Sequence, residues 1–137
     1  MEWTLDKTWL AVDPGHSTGM AFASEGQIQW TGTFQPDAVL PTIVMIDPDI
    51  LVVETVPQNN PDPLTASLLQ TIKDHWGDRP GLWLVSPGHW KPFARKQNWQ
   101  MPSGKDRHQK DAAMMLRWAI LQKTWVDIEK DIERDAK

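Results

Sequence analysis

The stretch Leu10-Ala11-Val12-Asp13-Pro14-Gly15-His16-Ser17-Thr18-Gly19-Met20-Ala21-Phe22 decides how this chain folds. An apolar run delivers one carboxylate, Asp13, to a Pro-Gly turn, and a second apolar run leaves that turn just after Thr18. A carboxylate at the mouth of a buried strand forfeits hydration and needs compensation. A divalent cation shared with other carboxylates is the expected compensation, beside the plainer reading of Asp13 as a turn former.

Working outward, residues 7–13 read as a buried strand and 17–24 as a second. Residues 28–35 form a third, in which Ile28, Trp30, Gly32 and Phe34 alternate with polar neighbours. Short connections make these three an antiparallel meander. A short helix over 37–46 stops at Asp47-Pro48. Ile50-Leu51-Val52-Val53-Glu54 is a continuous apolar run, the pattern of a central strand covered on both faces, and it too ends in a carboxylate. A turn-rich loop from Pro57 to Pro63 leads to a helix over 63–76, with Leu64, Leu68, Leu69 and Ile72 on one face, and a short strand at 81–85. Proline and glycine punctuate 86–104, which reads as a surface loop with one helical turn at most. A helix runs from Asp106 to Lys123, and residues 124–137 read as a charged helical extension with Trp125, Ile128 and Ile132 at helical spacing. The expected fold class is α/β, a mixed five-stranded sheet with three antiparallel strands then two parallel ones, and helices on both faces.

At 137 residues, 40% of them apolar and 23% charged, residues 1–137 are expected to form one folded domain. No apolar run approaches the roughly 20 residues of a membrane helix. Met1–Asp6 shows no basic region followed by an apolar stretch, so no secretory signal is expected. Cysteine is absent, which removes disulfides, thiolate metal sites and cysteine nucleophiles together. A cytoplasmic location is the simple expectation. The net charge of -4 argues against a generic nucleic-acid coat protein, yet leaves room for an enzyme that uses a local basic patch. Lys91, Arg95, Lys96, Lys105, Arg107 and Lys110 supply such a patch within a short window. Trp90 and Trp99 stand among these cations, where a nucleic-acid base could stack on an aromatic face.

If the strands ending at Asp13 and Glu54 are neighbours, their carboxylates emerge side by side at one rim. His108 and Asp111, three residues apart, share a helix face that continues as Ala112, Met115, Leu116 and Ala119. Three converging carboxylates repel one another unless cations intervene. Oxygen ligands with one imidazole suit Mg²⁺ or Mn²⁺ better than Zn²⁺. Two such ions about 4 Å apart activate a water and stabilise the leaving oxygen of a phosphodiester. Gly15 and Gly19 are expected to allow a tight turn and the approach of a phosphate backbone. His108 and Asp111 also read as solvated first-turn residues that favour the helix dipole. His16 and His89 read as loop histidines, and His75 as a helix-surface one. These residues together point to metal-dependent phosphoryl chemistry.

Val12-Asp13-Pro14-Gly15-His16-Ser17-Thr18-Gly19 resembles the opening motif of RuvC-type Holliday-junction resolvases, on the ribonuclease H-like fold. Val52-Val53-Glu54 resembles the second acidic strand of that family, and Ser86-Pro87 through Trp90-Lys91 its Pro-x-x-x-Lys segment. His108-Gln109-Lys110-Asp111-Ala112-Ala113 resembles its closing His-x-x-Asp-Ala helix. The compact length is most similar to phage-encoded relatives, and the segment between Val85 and Asp106 is shorter than the helical insertion of bacterial members. The resemblance implies that Asp13, Glu54 and Asp111 are metal ligands and that His108 is a ligand or a positioner of the attacking water. It implies that Lys91 approaches the scissile phosphate, and that a homodimer cuts opposing strands of a four-way DNA junction with Mg²⁺. Arg95, Lys96 and Lys105 are the accompanying candidates for contacts to the DNA backbone.

Three other readings compete. One is a nuclease of the same fold acting on RNA–DNA hybrids, flaps or single strands. Another is an actin-like nucleotide-binding module, which needs a second lobe that 137 residues do not supply. The last is a catalytically silent nucleic-acid-binding protein.

Overall fold

Residues 6–55, 62–97 and 106–135 are described in the computed structural model, with side chains described as far as Lys123. The elements run β1 (Trp9–Asp13), β2 (Thr18–Ser24), β3 (Gln27–Phe34), α1 (Pro36–Ile46), β4 (Ile50–Glu54), α2 (Pro63–Trp76), β5 (Leu82–Val85), α3 (Pro87–Lys96) and α4 (Arg107–Asp135). They build one five-stranded sheet in the order β3-β2-β1-β4-β5. β1, β2 and β3 pair antiparallel, while β4 lies parallel to both β1 and β5. This is the mixed sheet expected from the sequence.

The register sets up the rim. Trp9 lies opposite Ile50, and the pairing proceeds to Val12 opposite Val53. One further step sets Asp13 beside Glu54, which itself lies opposite Val85 of β5. Side chains alternate between the faces of a strand. Trp9 and Ala11 of β1 and Val52 of β4 therefore pack under α3 and α4, whereas Leu10, Val12, Leu51 and Val53 pack under α1 and α2. Asp13 and Glu54 share the parity of the first set. Both belong to the α3/α4 face.

That face is built for close approach. Ala11, Ala21 and Ala23 of the sheet meet Ala112, Ala113, Met115, Leu116 and Ala119 of α4, all buried. Gly19 extends the contact to the rim, because a Cβ there would stand 2.0 Å from the His108 carbonyl oxygen. The bareness of Gly19 thus admits the first turn of α4. The expectation that it leaves room for a phosphate backbone is corrected, since protein backbone already fills the space. Asp106 caps α4 by accepting from Gln109 N at 2.9 Å, and Thr33 of β3 donates to the same carboxylate. Thr31 of β3 adds a bond to Gln109 at 2.8 Å.

The segment expected to be a loop holds α3. Pro87 occupies a first-turn position, where its missing N–H costs nothing. Trp90 and Ala94, one helical turn apart, form the buried face, while Pro92 is exposed. No helix among the described residues is long and apolar enough to cross a membrane.

Candidate active site

Asp13 and Glu54 leave the neighbouring ends of β1 and β4 half-buried and side by side. Burial pushes the Asp13 carboxyl up to about 6, and repulsion from Asp111 adds to it, against the attraction of Lys91 and Arg107. Burial likewise pushes Glu54 up to about 7, reinforced by the Asp13 charge and opposed by a hydrogen bond from Trp90 and by Lys91. Two carboxyls this close titrate as a pair. Burial therefore resists full ionisation of the pair near neutral pH.

The turn between them and β2 is closed by Thr18. Its buried Oγ1 donates to the Gly15 carbonyl at 3.2 Å and accepts from Gly15 N at 3.4 Å. Beyond the turn, His16 Nε2 meets Asp62 at 3.1 Å. Asp62 also caps α2 through Thr65 N at 3.0 Å and Thr65 Oγ1 at 2.7 Å, and these bonds hold its carboxyl down to about 2. His16 is thus a solvent-exposed clip between the turn and α2, as a loop histidine would be.

α3 and α4 supply the other walls. Trp90 Nε1 donates to Glu54 Oε2 at 2.8 Å, and the Lys91 ammonium stands 5.5 Å from the centre of the Trp90 ring. An open cavity of about 570 Å³ lies here, lined by Trp90, Lys91, Ala94, Arg95, Arg107, Asp111 and Met114. It has the size of a ligand site, and cations dominate its rim.

The sequence-based candidates therefore divide. Asp13, Glu54, Asp111 and Lys91 are brought together, as their mutual electrostatic effects show. Arg95 lines the cavity, and Lys96 is an exposed residue outside its lining. Lys105 and Trp99 lie outside the described residues. His108 lies in the first turn of α4 with its backbone pressed on Gly19, just after Asp106, whose carboxylate hydrogen bonds from Thr33 and Gln109 keep ionised. Trp90 is corrected. At 1% exposure it offers no face for a base to stack on, and it serves Glu54 through its indole N–H. Arg107 was legible only as one member of the basic cluster, yet it lines the cavity and attracts Asp13.

No group of three or more histidine or acidic side chains among the described residues is arranged as a ready-made metal cage. The donor chemistry nonetheless fits a hard cation. Asp13 and Glu54 are desolvated carboxylates at adjacent strand ends, with Asp111 repelling both. Oxygen donors of this kind suit Mg²⁺ or Mn²⁺, and a cation would relieve their repulsion.

No protein-family model matches the chain, and no curated protein matches it in sequence. Solved structures do. RuvC of Thermus thermophilus in complex with a Holliday junction substrate superimposes with a TM-score of 0.62 at 15% identity, covering 85% of this chain and 96% of that one. A second Thermus thermophilus RuvC structure gives 0.60 at 15% identity, with the same coverage. The fowlpox virus resolvase, in complex with substrate Holliday junction DNA, gives 0.54 at 11% identity over 88% of this chain and 98% of that one. The chain thus carries the ribonuclease H-like fold in the form that these resolvases share.

Proposed function

We propose that the protein is a Mg²⁺-dependent endodeoxyribonuclease that cuts four-way or otherwise branched DNA, acting as a homodimer. The observation that carries this reading is the Asp13–Glu54 carboxyl pair at adjacent strand ends, repelled by Asp111 and attended by Lys91. Likeness of fold to RuvC and to the fowlpox virus resolvase supports the substrate class, since both are seen with Holliday junction DNA.

In this reading Asp13, Glu54 and Asp111 hold the metal, with Mn²⁺ able to replace Mg²⁺. Two bound ions would activate the attacking water and stabilise the leaving oxygen of the phosphodiester. Lys91 puts a fixed positive charge beside the carboxyl pair, where it meets the negative charge that develops on the scissile phosphate. Arg95 and Arg107 hold the DNA backbone across the cavity, and Lys96 extends the cationic surface along α3. His108 positions the water or completes a metal's ligands. A twofold dimer matches the symmetry of a four-way junction, whose opposing strands need two sites.

The test is cleavage of a labelled synthetic four-way junction with Mg²⁺, beside three-way, flap and RNA–DNA hybrid substrates. The junction is expected to be cut, and Asp13→Asn and Glu54→Gln to bind it without cutting. Preference for the hybrid, or a fully active Asp13→Asn protein, overturns the reading.

A further inference from the structure

We infer that Trp90 is a positioning residue for Glu54, acting through its indole N–H. The inference rests on the reading of Glu54 as a metal ligand and adds a residue to that site.

Indole N–H is a donor only. Its 2.8 Å bond to Oε2 therefore persists whether Glu54 is protonated or ionised, and it fixes the rotation of the carboxyl plane. With Oε2 so engaged, Oε1 is the carboxyl oxygen left for a further partner. A cation held by Glu54 would meet that oxygen. The bond also favours the ionised form of Glu54, the form a metal requires.

Packing makes the donor rigid. Trp90 is 1% exposed, lies in the core under α4 and beside Ala94, and carries the Lys91 ammonium near its ring. A phenylalanine would fill much of the same space without the N–H. Burial of an indole on this sheet face does not by itself secure a partner, because the Trp9 Nε1 in the same core has none among the described residues. The bond at Trp90 follows from placing the first turns of α3 over the end of β4. One short helix thereby orients a carboxylate and delivers the adjacent cation.

Trp90→Phe separates the N–H from the ring. Loss of an outer hydrogen-bond partner of a metal ligand typically costs about 10-fold or more in metal affinity or activity. In the DNA-free protein, Mn²⁺ affinity measured by titration calorimetry is expected to fall about 10-fold. The Mg²⁺ concentration for half-maximal cleavage should rise in parallel, while junction binding in EDTA stays within about twofold of wild type. In the wild-type protein, the ¹H–¹⁵N resonance of the Trp90 indole is expected to move as Mg²⁺ is added, a readout that does not depend on the variant folding. Unchanged Mn²⁺ affinity in a folded Trp90→Phe protein, or an indole resonance that ignores Mg²⁺ binding, overturns the inference. Weakened Mn²⁺ binding in Trp90→Phe with no junction cut by either protein upholds the role of Trp90 and overturns only the proposed substrate.

Discussion

Asp13 and Glu54 end adjacent parallel strands at one rim of the sheet, each destabilised as an anion by burial, Glu54 also by the Asp13 charge and Asp13 by that of Asp111. A fold that retains such a pair gives up stability at neutral pH. This liability can be measured without any knowledge of the substrate.

Asp13→Asn removes one of the two charges while keeping the shape and a hydrogen-bonding group. With the Asp13 carboxyl raised from 3.8 to about 6, neutralising it is expected to stabilise the metal-free protein at pH 8 by on the order of 2 kcal/mol. Thermal unfolding in EDTA should therefore show a higher Tm for Asp13→Asn than for wild type. Cleavage should fall to background in the same variant. A lower Tm would show that Asp13 is a structural turn residue whose charge the fold needs.

The pH dependence follows from the same shifts. Below about pH 3 both carboxyls are protonated in the folded and unfolded states, and the penalty is absent. As pH rises, the unfolded chain releases its protons near 3.8 and 4.5, while the folded protein keeps them until about 6 and 7. The folded state binds more protons across this window, so its stability falls as pH rises and levels off above about 8. Asp62 acts with the opposite sign, since its lowered carboxyl favours the folded state above its ordinary range and loses that effect toward about pH 2. The decisive comparison is wild type against Asp13→Asn/Glu54→Gln, at pH 5 and pH 8. The drop in Tm should be larger in wild type, and Mg²⁺ at pH 8 should restore part of it only there. Equal drops in both proteins would remove the carboxyl pair as the cause.

The acidic rim was legible because two apolar runs of similar length each stop at an acid, and period-two alternation puts both acids on one face. The meander, β4 and α2 were legible from the same periodicity and from their turn residues. α3 was hidden because Pro87, Gly88 and Pro92 are the residues that usually break helices, and only the Trp90/Ala94 spacing carries its buried face. Trp90 was misplaced for a related reason. Its neighbours in sequence are cations, but its neighbours in space are Glu54 and the core, and the turn of α3 decides between them. The use of Gly19 depends on a contact with His108 far along the chain, which no local pattern shows.

Gly19→Ala tests that contact. A methyl group would meet the His108 carbonyl at 2.0 Å, and backbone on both sides leaves no flexible side chain to give way. The first turn of α4 must lift from β2, at a cost of about 1–3 kcal/mol typical of overpacking. Because that turn also carries Arg107 and leads into Asp111, cleavage should fall more steeply than the loss of folded protein explains. Measuring Tm and cleavage rate at a temperature where the variant is fully folded separates the two effects. Near-wild-type cleavage would show that the rim tolerates a displaced α4.

The two neighbouring cations of α3 give a sharper test of where DNA runs. Arg95 lines the cavity beside Lys91 and Arg107, while Lys96 is exposed outside the lining. A phosphate held by Arg95 releases counterions on binding, so the slope of log K against log salt should shrink by about one for Arg95→Ala. Arg107→Ala should shrink the slope similarly and also raise the Asp13 carboxyl further, because Arg107 attracts the Asp13 anion. Lys91→Ala should act differently, slowing cleavage by about 100-fold with little change in binding, as expected for a charge that meets the reacting phosphate. Lys96→Ala serves as the reference for a surface charge beyond the cavity. Junction binding measured over a salt series, with single-turnover cleavage alongside, distinguishes these four variants. If Lys96→Ala alters the slope as much as Arg95→Ala, the DNA crosses the outer face of α3 and the cavity is not its path.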